Sequence, residues 1–113
     1  MCEHSAVADL TSLKDIADAA ARIAGRVHRT PMHSAEQLGE LVGTRISLKA
    51  ELFQKTGSFK VRGVFNKILS LPEDARARGF VSCSAGNHAA ALAFAASSVG
   101  SHATIVMPAS AVP

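Results

Sequence analysis

The chain has 113 residues, enough for one small domain with a modest core, and with 48% hydrophobic and 19% charged residues it fits a soluble globular protein. Its net charge of +3 is spread along the sequence, with no Lys/Arg cluster and no Trp or Tyr to stack bases, which argues against nucleic-acid binding. Cys2 and Cys83 make neither a disulfide framework nor a metal set, no secretory signal pattern is visible, and the longest apolar run, Ala89 to Ala96, is far short of a membrane span, so a reducing cytosol is the expected setting.

Residues 1–10 are small and mixed and read as a loose start. Ser12 with Asp15 opens a helix whose expected buried stripe is Leu13, Ile16, Ala20 and Ile23, with Gly25 as its stop. Val27 to Pro31 reads as extended, because Thr30 precedes a proline. Ser34 and Gln37 form an S-x-x-Q capping box for a short helix through Leu38, Leu41 and Val42, ended by Gly43. Ile46 and Leu48 alternate with Ser47 and Lys49, so residues 45–50 read as a strand. Beyond Gln54–Ser58, the apolar positions Val61, Val64, Phe65, Ile68 and Leu69 recur at helical spacing, with Ser58 as the expected N-cap. Pro72 closes that region, Glu73 to Arg78 forms one or two helical turns, and Gly79 ends them. Phe80 to Cys83 reads as a buried strand and Ser84–His88 as a polar turn. Ala89 to Ala96 is a helix apolar all round, which suggests burial between layers, and Thr104 to Met107 is a further strand before a loop bracketed by Pro108 and Pro113. The order βαβαβ implies an α/β fold, a parallel sheet with helices on its faces.

In such a sheet the strand-to-helix turns share the carboxyl edge, so Lys60 and Ser84–His88 are expected to face one site. Lys60 stands in the first helical turn, where the positive end of the macrodipole disfavours a cation and pushes the amine toward its nucleophilic neutral form. A solvated lysine at a helix edge is the competing reading. Free N–H groups at a helix start bind carboxylates, Gly86 permits close backbone approach, and Asn87 offers both a donor and an acceptor. The competing reading there is an ordinary cap made by Ser84 or Asn87. An amine beside a carboxylate cradle suits chemistry on an amino acid bound to an aldehyde cofactor. His88 reads as a surface or hydrogen-bonded core residue rather than an acid or base. His4, His28, His33 and His102 show no metal-ligand spacing, so no metal site is expected, and Cys83 reads as packing.

Several stretches together resemble the threonine dehydratase (threonine ammonia-lyase) and serine racemase group of pyridoxal-phosphate enzymes. They are Arg29-Thr30-Pro31, Leu48-Lys49-Ala50-Glu51, Gln54-Lys55-Thr56-Gly57-Ser58-Phe59-Lys60-Val61-Arg62-Gly63, Ser84-Ala85-Gly86-Asn87-His88 and Ala103-Thr104-Ile105-Val106-Met107-Pro108. The resemblance implies a tryptophan-synthase-β-like fold (fold type II), incomplete here, with residues 1–77 in the large lobe and 78–113 starting the small one. It implies pyridoxal 5'-phosphate as cofactor, held by Lys60, which would also move the α-proton. Phe59 would lie against the pyridine ring and Asn87 would hydrogen-bond its phenolic oxygen. Ser84, Ala85, Gly86, Asn87 and His88 would hold the substrate carboxylate. The implied reaction is loss of water from L-threonine or L-serine, giving a 2-oxo acid and ammonia. Ala85 stands where eukaryotic-type racemases usually carry a second serine, which favours dehydration, and Val61 stands where cysteine synthases usually carry an aspartate. The phosphate-binding glycine loop of the family is expected after Pro113, so the chain reads as an N-terminal fragment, inactive alone and part of a homo-oligomer when full length. An inactive pseudoenzyme, a racemase and a β-replacement synthase remain as alternatives.

Overall fold

A computed structural model describes residues 10–111. The readings made for residues 1–9, including Cys2 and His4, and for Pro113 lie outside the described residues. In chain order the elements are α1 (Leu13–Arg22), β1 (Met32–Ser34), α2 (Glu36–Val42), β2 (Ser47–Lys49), two 3-10 turns (Glu51–Phe53 and Lys55–Gly57), α3 (Lys60–Ser70), α4 (Glu73–Ala77), β3 (Phe80–Cys83), α5 (Asn87–Ser98) and β4 (Ala103–Val106).

The core forms where α3 packs on α5. Helical spacing puts Val61, Val64, Phe65 and Ile68 on one face of α3, where all are buried. They meet Ala91, Leu92 and Ala95 of α5. Phe65 and Phe94 close one side of this core edge to face, with ring centroids 6.0 Å apart. The apolar helix α5 is not enclosed on every side. Ala91, Leu92, Ala95 and Ala96 are buried, while Ala90, Ala93 and Phe94 are exposed.

β3, α5 and β4 form a βαβ unit with parallel pairing, Phe80 opposite Ala103 and Cys83 opposite Val106. Phe80, Ala103 and Ile105 turn inward against the helices. Alternation then sends Val81 and Cys83 outward, and Cys83 is exposed rather than packed. The strand over residues 45–50 does not extend this sheet. As β2 it pairs antiparallel with β1 in a separate two-stranded sheet, Met32 opposite Lys49 and Ser34 opposite Ser47. Ser34 is therefore a strand residue, and α2 starts from Ala35 with no side-chain cap.

The capping box at α1 forms as expected: Asp15 N–H donates to Ser12 Oγ, and Ser12 N–H donates to Asp15 Oδ2 at 2.8 Å. Its apolar stripe is not buried as expected, because only its end meets the core. Ile23 is buried, whereas Leu13 is 82% and Ile16 57% exposed. Among the described residues no helix is long and apolar enough to cross a membrane.

Candidate active site

Lys60 owes its position to an unusual approach. The chain leaves β2 through two 3-10 turns, and Thr56 adopts φ 63°, a left-handed conformation strained for a β-branched residue. Ser58 is extended and buried, and it is not the N-cap. Phe59 takes that place, and α3 begins at Lys60 itself. The hydroxyls of Thr56 and Ser58 are both buried without a hydrogen-bond partner among the described residues. Lys55 Nζ lies 5.8 Å from the Phe94 ring centroid, so this turn rests on α5.

A polar network anchors the approach. Arg62 donates to both carboxylate oxygens of Glu51, from Nε at 2.9 Å and from a terminal nitrogen at 2.7 Å. Arg62 also reaches the carbonyl of His28 at 3.0 Å, and Thr30 Oγ1 donates to Glu51 at 2.5 Å. Gln54 donates to the His28 carbonyl and accepts from the His28 N–H, each at 2.9 Å. Hydrogen bonding from Arg62 outweighs the opposing effect of burial and holds the Glu51 carboxyl down at about 2. Glu51 in turn raises the Arg62 guanidinium above its ordinary value. The sequence marked the stretches that carry these residues but gave no contact between them. The physical link between Thr30, Glu51, Gln54 and Arg62 is visible only once the chain is folded.

Past this anchor, Phe59 and Lys60 open on a cavity of about 610 Å³ between α3, β3 and the first turns of α5. Lys60 Nζ sits 4.9 Å from the centroid of the Phe59 ring, which is 58% exposed. Lys60 has no acidic partner among the described residues, unlike Lys14, Lys49, Arg62 and Arg78. His88 lines the same cavity, so the start of α5 and the Lys60 amine face one space. Ser84, Ala85, Gly86 and Asn87 are not part of its lining and form the turn just beside it. Neither Ser84 nor Asn87 caps α5. Gly86 holds the cap position with no side-chain hydrogen bond, and Ser84 Oγ accepts from the Gly86 N–H at 3.3 Å. Ala89 N–H donates to the Gly86 carbonyl at 2.8 Å, while the N–H groups of Asn87 and His88 have no acceptor among the described residues and stay open to a ligand.

Ser82, a residue that sequence reasoning passed over, also lines the cavity, 3.0 Å from His88 Nε2. The inward alternation that starts at Phe80 was the signal for it. A free amine, a flat apolar ring beside it and open helix N–H groups fit an aromatic aldehyde cofactor and the carboxylate of an amino acid. Among the described residues no group of three or more His, Cys, Asp and Glu gathers to hold a metal.

Comparison with known proteins bears on the same stretch. The family model described as pyridoxal-phosphate dependent enzyme matches residues 23–113. The L-threonine ammonia-lyase of Thermotoga maritima is 50% identical over 99 residues, covering 88% of this chain and 25% of the relative. The serine racemase of Oryza sativa subsp. indica is 45% identical over 105 residues, covering 93% of this chain and 30% of the relative. Among solved structures, serine racemase from Dictyostelium discoideum aligns with a TM-score of 0.82 and 40% identity, over 89% of this chain and 33% of that one.

Proposed function

The chain belongs to the family of pyridoxal-phosphate dependent enzymes, and from that premise we propose that it carries the lysine-bearing part of a dehydratase that converts L-threonine or L-serine to a 2-oxo acid and ammonia. The fold is that of its relatives, fold type II, in incomplete form. The chain spans about a quarter to a third of the length of the relatives it matches, so this reaction belongs to the larger site that those relatives share.

The observation that carries the reading is the Lys60 amine, unpaired among the described residues, lying over Phe59 in a cavity that it shares with His88. Bound, the cofactor supplies an electron-withdrawing ring that lets the substrate's α-carbon give up its proton. Lys60 would hold the cofactor by its aldehyde, and its Nζ would be the base that takes the substrate's α-proton. Phe59 would lie against the cofactor ring, and Asn87 would hydrogen-bond its phenolic oxygen. The turn Ser84-Ala85-Gly86-Asn87-His88 binds the substrate carboxylate through the open N–H groups of α5. Racemisation needs a second proton-transfer group on the opposite face of the α-carbon. The methyl group of Ala85 offers none, which favours dehydration over the racemase reading. Residues 1–77 contribute to the larger lobe and 78–113 begin the smaller one, and the packing of α3 on α5 runs across that boundary.

Borohydride reduction of the protein loaded with pyridoxal phosphate, followed by peptide mapping, tests the assignment. The label is expected on Lys60, and a label on any other lysine overturns it. Product analysis with L-serine separates the reactions, since pyruvate and ammonia support dehydration and D-serine supports racemisation.

A further inference from the structure

Ser82 and His88 form a pair in the cavity, and the proposed function gives Ser82 no role. Ser82 is an inward residue of β3, and His88 is the second residue of α5. Ser82 Oγ and His88 Nε2 are 3.0 Å apart, and both residues line the cavity that holds Lys60. Val81 and Cys83, on either side of Ser82, are exposed, and of the two only Val81 also borders the cavity. A hydroxyl turned inward on a short strand requires a partner, and His88 is the one it has among the described residues. His88 Nδ1, by contrast, has no hydrogen-bond partner among the described residues.

In a neutral imidazole one nitrogen donates and the other accepts, so the bond made at one nitrogen sets the role of the other. The Ser82 hydroxyl has a proton to give and no other acceptor among the described residues. We infer that Ser82 is a positioning residue: it donates to His88 Nε2, fixes the ring at the cavity wall, and leaves Nδ1–H as a donor for the carboxylate of the amino-acid substrate. This rests on the amino-acid reading proposed above. Its advantage is preorganisation. A ring already tethered loses less freedom when the ligand arrives, and it presents the nitrogen that bears a hydrogen. The carboxylate contact then combines the backbone N–H groups of α5 with a side-chain donor from the same first turn.

The test compares the full chain, 15N-labelled in its histidine rings, as the parent protein and as Ser82→Ala, Ser82→Thr and Cys83→Ala. Long-range 15N–1H spectra are expected to show the Nδ1–H tautomer at His88 in the parent and the Nε2–H form in Ser82→Ala. Ser82→Thr, which keeps the hydroxyl, is expected to return the parent tautomer, and Cys83→Ala, on the outward side of the same strand, to leave it unchanged. Binding of L-threonine to the pyridoxal-phosphate-loaded protein is expected to weaken about tenfold in Ser82→Ala and to recover in Ser82→Thr, in line with loss of one hydrogen bond to a charged group. If Ser82→Ala does not fold, Ser82→Cys, close in size but a poor donor, takes its place with the same expected outcome. An Nε2–H tautomer in the parent, or a tautomer and affinity indifferent to Ser82→Ala, overturns the inference. Borohydride labelling reports separately. A label away from Lys60 sinks the functional proposal whatever the tautomer, while a label on Lys60 with an unchanged tautomer sinks only the role given to Ser82.

Discussion

Glu51 carries its charge far into acid because Arg62 grips both of its oxygens, and that difference from an isolated carboxylate is itself a contribution to stability. Its folded value of about 2 lies below the ordinary 4.5, so the contribution is complete above about 4.5 and is lost as pH falls through about 2. Glu51→Gln is therefore expected to flatten the loss of stability over that window and to lower stability near neutrality by about 1–2 kcal/mol, as urea melts at a series of pH values would show. Arg62→Lys is expected to lose most of the same contribution, because an ammonium cannot make the two-pronged contact. Thr56 gives a prediction of opposite sign. Its left-handed backbone and its buried, unpartnered hydroxyl are both unfavourable, so Thr56→Gly is expected to stabilise the chain by about 1 kcal/mol in thermal melts. Glu51, Arg62 and Thr56 all stood within stretches noticed in the sequence. Lys60 was legible there as a candidate because its oddness is local, a cation at a helix start. The partnership of Glu51 with Arg62 was not, because nothing local says which of the chain's cations an acid will meet.

Two elements with similar apolar stripes end up in different surroundings. In α3 the stripe Val61, Val64, Phe65 and Ile68 is buried, whereas in α1 Leu13 and Ile16 face outward. Phe65→Ala is expected to destabilise by about 3–5 kcal/mol and Ile16→Ala by no more than about 0.5 kcal/mol, a contrast that urea denaturation would resolve. Periodicity identifies the helix and its apolar side but does not supply the neighbour that covers that side. The link between α4 and β3 makes a different demand. Gly79 has φ 82°, and a Cβ there would lie 2.3 Å from the His102 ring. Gly79→Ala is expected to cost about 2 kcal/mol or more in thermal melts, and His102→Ala added to it is expected to restore only the steric part, because the backbone strain remains. The sequence marked Gly79 as a helix stop, but the close approach of His102 comes from the pairing of β3 with β4.

At the scale of the whole molecule, much apolar surface of the described residues faces solvent. Leu13, Leu41, Leu52, Val81 and Val106 are all among its exposed apolar residues. An environment-sensitive hydrophobic dye is therefore expected to bind the folded chain strongly, and binding is expected to fall when Val81 and Val106, both exposed on the β3–β4 sheet, are replaced by threonine. The parallel βαβ unit was legible in the sequence because strand, helix and strand follow one another without interruption. The separate antiparallel pair was not, since Ser34 read as a helix cap rather than a strand residue and chain order placed residues 45–50 in the parallel sheet.

By itself the sequence determined what depends on residues a few positions apart: the α3 stripe, the Ser12–Asp15 box, the lysine at a helix start, and the polar turn that opens α5. Those features rest on helical and strand periods and on local hydrogen bonds, which the order of residues specifies directly. Tertiary structure alone decided that β2 pairs with β1, that Arg62 clasps Glu51, and that Ser82 turns into the cavity while Ser84 stays beside it. Each of these is a choice among distant partners, made by packing and by the need of buried polar groups for one another.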